Sequence, residues 1–151
     1  MRGNVERVPD LTNKDVFIPI NLNSHWTLAL AMYRETTISY FNSMDCLLET
    51  EDYNMIRKLA EFFENNYPPG DNSRLTKWRI RNNTNIQAQQ NSDDCGVFVL
   101  AWTRVIVTDL RYLYQVGKDP KQMPKLRKIF QQELKENQLM KMPFFETFQG
   151  Q

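Results

Sequence analysis

The stretch Gln89-Gln90-Asn91-Ser92-Asp93-Asp94-Cys95-Gly96-Val97-Phe98-Val99-Leu100 (QQNSDDCGVFVL) changes character at a single residue. Six polar or acidic side chains end at Cys95, and the chain turns apolar directly after Gly96. A polar loop running into an apolar helix predicts that Cys95 stands at the helix N-terminus, with Asp93 or Asp94 placed to cap the first turn. Partial positive charge at such a terminus favours a thiolate, the nucleophilic form of cysteine. Gly96, without a Cβ, would let a substrate carbonyl approach the backbone closely. A nearby imidazole would take the thiol proton and return it to a leaving amine, and His25 is the only histidine in the chain. Taken singly, a cysteine beside a helix is more often a small buried hydrophobe, and a histidine at a strand edge is more often structural. Neither residue alone identifies an enzyme.

Working outward, the period of the apolar residues changes twice. Val16-Phe17-Ile18-Pro19-Ile20 is a short strand-like run, followed by a polar turn over residues 21–24 and then His25-Trp26. Residues 27–33 (TLALAMY) and 36–41 (TTISYF) are β-prone runs separated by Arg34-Glu35, and they read as a hairpin in a buried sheet. From Glu51 the spacing becomes helical: Ile56, Leu59, Phe62 and Phe63 recur at three and four, predicting an amphipathic helix over residues 51–66 that Pro68-Pro69-Gly70 stops. Residues 78–82 (WRIRN) suggest another strand. Residues 95–113 are expected to form a mostly buried helix, with Val97, Leu100, Ala101, Arg104, Val105 and Thr108 on successive turns. A last amphipathic helix is expected over residues 123–139, carrying Leu126, Ile129, Phe130 and Leu134. Beyond it, Phe144, Phe145 and Phe148 would be exposed unless the tail packs back.

The composition bounds the function classes. At 151 residues with 41% hydrophobic side chains, the chain fits one globular domain with a sizeable core. Nineteen basic against 18 acidic residues give a net charge of +1, which predicts neither a nucleic-acid nor a membrane partner. The basic run over residues 118–128, with Lys121, Lys125 and Arg127, reads as a solvated helix face, a docking patch for an acidic partner being the alternative. Two cysteines and one histidine are too few for a disulfide scaffold or a metal cage, so no metal or cofactor is expected. No signal peptide or transmembrane run is legible, and the expectation is a soluble intracellular monomer of the cytoplasm or nucleus, or of a host cell if the source is viral or bacterial. Cys46 reads as a structural or incidental thiol.

Further motifs join these residues. His25-Trp26 after a strand reading IPINL, Tyr40-Phe41-Asn42-Ser43-Met44 after the next strand, and Gln89 six residues before Cys95-Gly96 together resemble the ubiquitin-like-protein-specific cysteine proteases. These are the SUMO and NEDD8 proteases of the Ulp/SENP type, with viral and bacterial relatives. Gln122-Met123-Pro124-Lys125-Leu126-Arg127-Lys128 resembles the segment that opens the family's final helix, and the likeness runs over residues 16–139. It implies an α+β, papain-like fold of the Ulp/adenain type: a small central mixed sheet flanked by helices, with the nucleophile opening a buried helix. It also implies Cys95 as nucleophile, His25 as general base and acid, and Gln89 as a side-chain oxyanion donor beside the Cys95 N–H. Such a donor is typically worth about 100- to 1000-fold in rate. Trp26 and Gly96 would bind substrate, Trp26 covering a narrow tunnel that only a Gly-Gly terminus can enter. Function follows as a thiol protease or isopeptidase, deSUMOylase- or deneddylase-like. It would cleave after Gly-Gly of a SUMO-like or NEDD8-like protein, or a viral precursor, through a Cys95 thioester.

Two departures from the family pattern stand out. The third triad position, usually aspartate, is Asn42. Its Oδ1 can accept a hydrogen bond from imidazole Nδ1–H and orient the ring, without the anion that stabilises imidazolium. Alternatively Asp45 substitutes, or activity has decayed and the domain only binds; a working, less active Cys-His-Asn triad is the favoured reading. The second departure is length, since only 24 residues precede His25. The expectation is one protease domain over residues 1–151, a fragment or minimal variant lacking much of the family's N-terminal segment, with residues 1–13 and 142–151 flexible. A non-catalytic module binding a ubiquitin-like protein, and a protease-fold acyltransferase, are the alternative functions.

Overall fold

Four β-prone runs become four strands of one sheet: β1 (Asp15–Leu22), β2 (His25–Met32), β3 (Thr37–Phe41) and β4 (Arg79–Asn82), hydrogen-bonded in the order β1-β2-β3-β4. The computed structural model describes residues 9–44, 50–68, 77–140 and 142. Asn23 and Ser24 both have positive φ, 51° and 64°, so β1 and β2 are joined by a two-residue turn of the I′ kind and run antiparallel. The turn is shorter than expected because Asn21 and Leu22 continue β1. His25 therefore opens β2 instead of preceding it. Between β2 and β3 the Thr36 N–H donates to the Tyr33 carbonyl at 3.0 Å and closes a second reversal. Every residue of the interior strand β3 is buried, whereas the edge strands carry Pro19 in β1 and Arg79 and Arg81 in β4. Proline and charge at an edge discourage further pairing.

The described residues divide into two compact units. One comprises residues 9–18, 29–40, 50–68 and 77–81. Its helix α1 (Thr50–Asn66) buries Ile56, Ala60 and Phe63, spaced four and three apart as an amphipathic face requires. Phe63 meets the Trp78 ring at 4.7 Å, and the Trp78 indole N–H donates to the Tyr67 carbonyl at 3.3 Å.

The other unit comprises residues 19–28, 41–44, 82–140 and 142. Its helix α2 (Cys95–Thr108) is apolar around most of its circumference, and the tilted Phe98 and Trp102 rings pack at 5.3 Å, with Phe41 5.7 Å from Trp102. The helix stops five residues before the expected end. Asp109 is extended (φ −162°, ψ 104°), and its carboxylate accepts from the Arg111 N–H to cap a 3₁₀ helix over Leu110–Gln115. Hydrogen bonding from the Arg111 side chain holds the Asp109 carboxyl below the usual carboxylate value. Helix α3 (Gln122–Glu136) admits Pro124 in its first turn, where no intrahelical N–H is needed, and closes on Asn137 in the left-handed region at φ 50°. Arg104 of α2 pairs with Glu133 of α3 at 3.2 Å and also donates to the Met140 carbonyl at 2.8 Å. Met142 is fully buried, while the three tail phenylalanines lie outside the described residues. Several residues assigned to buried helix faces are exposed, among them Phe62 at 43%, Leu100 at 50% and Leu134 at 84%. No helix among the described residues is long and apolar enough to cross a membrane.

Gly117 is a stringent test of this packing. It has φ +79°, and a Cβ there would lie 2.5 Å from Phe98 Cζ. Gly117→Ala should lose about 2–4 kcal/mol of stability, from backbone strain together with displacement of Phe98. A urea midpoint unchanged from wild type would contradict it.

Candidate active site

The β2–β3 reversal returns the chain so that the start of β2 lies beside the end of β3. His25 opens β2, and Asn42 follows the last residue of β3. Asn42 is buried, and its Oδ1 lies 2.8 Å from His25 Nε2 and 2.9 Å from the Met44 backbone nitrogen. A backbone N–H can only donate, so the amide atom facing Met44 is the oxygen. That oxygen in turn requires His25 Nε2 to carry the hydrogen it shares. A neutral ring then has a bare Nδ1, able to accept a proton. The expected Asn42–His25 bond is present, but through Nε2 and not through Nδ1. The Met44 contact fixes the amide orientation, and with it the tautomer, which no spacing rule anticipates. Asp45, the alternative third member, and Cys46 lie outside the described residues.

Ser43, fully buried beside Asn42, connects this strand end to the loop before Cys95. Its Oγ donates to Gln89 Oε1 at 2.5 Å, and the Gln89 N–H donates to the Ser43 carbonyl at 2.6 Å. Gln89 Nε2 donates to the Asn91 carbonyl. The side-chain amide is thus oriented at both ends, with the second Nε2 hydrogen left over for another acceptor.

Cys95 is the first residue of α2 and is buried. It lies in the wall of a cleft of about 550 Å³ that Trp26, Gly96, Leu100, Arg127 and Phe130 also line. Trp26, adjacent to His25, is 43% exposed. A Cβ on Gly96 would stand in ordinary contact, 3.8 Å, with Trp26 Cδ1, so the fold itself tolerates a side chain there. Any need for glycine comes from what enters the cleft. Asp94 occupies the cap position, yet its side chain does not cap α2 as expected. Its carboxylate instead accepts from Arg127 Nη2 at 2.7 Å and from Asn91 Nδ2 at 2.8 Å. The N–H groups of Asp93 and Asp94 both donate to Asn91 Oδ1, at 2.9 and 3.0 Å. The sequence carries no signal for the contacts of Ser43, Asn91 and Arg127. Ser43 lies inside the Asn42-Ser43-Met44 motif, and Arg127 inside a run read as a solvated face, so position alone carried no sign of their partners.

Residues 1–140 match the Ulp1 protease family, C-terminal catalytic domain, and the chain belongs to that family. Among its relatives, Sentrin-specific protease 5 of Homo sapiens is 34% identical over 134 residues, which are 87% of this chain and 17% of that protein. Sentrin-specific protease 3 of Mus musculus is 28% identical over 127 residues, 83% of this chain and 21% of that protein. The chain thus spans about a fifth of these relatives' length. Among solved structures it resembles the C-terminal Ulp1 protease domain in complex with Smt3, the yeast ortholog of SUMO. There the TM-score is 0.51 and the identity 26%, over 63% of this chain and 42% of that one. A de-sumoylating protease (TM-score 0.54, 20% identity, 84% of this chain and 58% of that one) shares the fold. The expected α+β class of the Ulp type, a small mixed sheet with helices, is the observed one.

The single histidine makes the ring assignment directly measurable. Long-range ¹⁵N–¹H correlation of the neutral His25 imidazole should show a protonated Nε2 and a bare Nδ1, and Asn42→Leu should remove that preference. The opposite tautomer in wild type would overturn the assignment.

Proposed function

We propose that this chain is a cysteine-type peptidase, acting as a monomeric protease domain inside the cell on a SUMO-like protein or its conjugates and cleaving after the C-terminal Gly-Gly. The observation that carries the reading is the oriented His25–Asn42 pair, next to a Trp26 that lines the same cleft as Cys95. Membership of the Ulp1 protease family supports it. A SUMO-like substrate is favoured because the relatives are sentrin-specific proteases and Ulp1 is seen with Smt3. A NEDD8-like protein or a viral precursor ending in Gly-Gly would meet the same steric demand.

In the proposed reaction the Cys95 thiol gives its proton to His25 Nδ1, and sulfur attacks the terminal glycine carbonyl. Oxyanion charge is received by the Cys95 N–H, an orphan donor of the first helical turn, and by the free Nε2 hydrogen of Gln89. The imidazolium then protonates the leaving amine, leaving a thioester on Cys95. Water, deprotonated by His25, attacks that thioester and releases the carboxylate and the thiol. Asn42 holds the ring throughout but supplies no negative charge to the imidazolium.

A SUMO-like probe bearing a C-terminal propargyl or vinyl-sulfone group should label Cys95, with NEDD8-like and ubiquitin probes as specificity controls. Gln89→Ala should cost about 100- to 1000-fold in kcat. Asn42→Asp should retain or raise activity, since aspartate keeps both acceptor contacts and adds an anion. Asn42 also motivates a second reading, a module that binds a ubiquitin-like protein without cleaving it. Binding unchanged by Cys95→Ala, with no probe labelling and no turnover by wild type, would favour that reading; hydrolysis of any Gly-Gly substrate would end it. Acyl transfer to an added amine or alcohol, faster than hydrolysis, would point to an acyltransferase.

A further inference from the structure

Residues 83–94 contain no helix or strand; buried Ile86 and the Gln89–Ser43 backbone bond hold part of this loop, and side-chain hydrogen bonds hold residues 91–94. One of its anchors comes from far along the chain. Arg127 Nη2, on α3, donates to Asp94 Oδ1 at 2.7 Å and to the Asp93 carbonyl at 2.8 Å. The other Asp94 oxygen takes the Asn91 side-chain amide, and Asn91 Oδ1 holds the N–H groups of Asp93 and Asp94. The Asn91 carbonyl in turn receives Gln89 Nε2. An unbroken run of hydrogen bonds therefore leads from α3 to the amide assigned to the oxyanion.

We propose that Arg127 is a positioning residue: it latches the loop over residues 91–94 to α3 and so fixes the Gln89 amide relative to the first turn of α2. The assignment rests on the protease reading for its catalytic consequence, but the latch itself is a structural statement. Charge-assisted bonds are the strong ones, and the Asp94 side chain is only 12% exposed, so water competes poorly for it. Removing the guanidinium leaves a sparsely solvated carboxylate immediately before Cys95, which the loop must move to hydrate. Arg127 also lines the cleft, and direct substrate binding is the competing role.

The test uses Arg127→Met, which keeps the aliphatic stem, with Arg127→Lys as the conservative variant and Asp94→Asn as a second break of the same contact. Amide hydrogen exchange at Asp93 and Asp94 should accelerate about tenfold or more in Arg127→Met and be partly restored in Arg127→Lys. Should Arg127→Met fail to fold, Asp94→Asn carries the exchange measurement. With substrate, Arg127→Met should lower kcat about 10- to 100-fold with KM within about twofold, as for misplacement of a catalytic group by a fraction of an ångström. In a Gln89→Ala background the same substitution should cost less than about threefold, because the group it positions is already gone. Unchanged exchange, full additivity with Gln89→Ala, or a raised KM at constant kcat would each overturn the latch. If wild type neither turns over nor labels, the protease reading fails while the exchange result still decides the latch. Turnover by wild type with unchanged exchange in the variants would sink the latch alone.

Discussion

One oxygen atom orients the candidate site. Asn42 Oδ1 receives two donors, His25 Nε2 and the Met44 N–H, and the second removes the ambiguity of the first. With the amide orientation set by a backbone group, the imidazole has one permitted neutral tautomer, and its bare nitrogen is the one turned away from Asn42. That outcome depends on the sheet. The β2–β3 reversal brings the residue that opens β2 beside the residue that follows β3. A register slip of one residue would turn Trp26, not His25, toward Asn42, because strand side chains alternate.

Beside this pair, a second set of contacts serves the loop. Ser43 is clamped to Gln89 by a backbone bond and a side-chain bond, and Gln89 leads through Asn91 and Asp94 to Arg127. All these residues, with His25, Trp26 and Cys95, fall in one compact unit. Its apolar interior, with Phe98 against Trp102 and Trp102 against Phe41, holds α2 behind Cys95. Such an interior resists small displacements because it is close-packed. A polar loop cannot rely on packing in this way, which is why so many of its side chains are engaged in hydrogen bonds.

What could be read beforehand follows from how local the cause is. Helix α1 is legible because Ile56, Leu59, Phe62 and Phe63 recur at helical spacing and Pro68 follows its end, although the face it buries is Ile56, Ala60 and Phe63. The β2–β3 hairpin is legible from an apolar run without helical period (residues 27–33) and a β-prone run (residues 36–41), with Arg34-Glu35 between them. The end of α2 is not, because apolar residues continue through Leu110, Leu113 and Val116, and the break comes from Asp109 preferring to cap the next turn. Leu100 and Leu134 lie on faces that periodicity assigns to the core, yet they line a cleft and are exposed. Periodicity finds a stripe but not what the stripe faces. Cys95 and His25 became a site only through resemblance to a family, and the Ser43–Gln89 and Asp94–Arg127 contacts, 46 and 33 residues apart in sequence, belong to tertiary structure alone.

The asparagine changes where the proposed chemistry finds its electrostatic support. An aspartate in its place would favour the imidazolium directly, and so the thiolate–imidazolium pair. With a neutral amide there, stabilisation of developing charge rests on the sulfur and oxyanion side: the N-terminal dipole of α2, the first-turn N–H groups and Gln89. Asp94 adjoins that side and would oppose a growing negative charge. Its carboxylate is instead bound by Arg127 and Asn91, which holds it within the loop's own hydrogen bonds. A triad without its anion therefore places more weight on the geometry of the loop over residues 89–94 than a triad with one, and the Arg127–Asp94 pair serves that geometry.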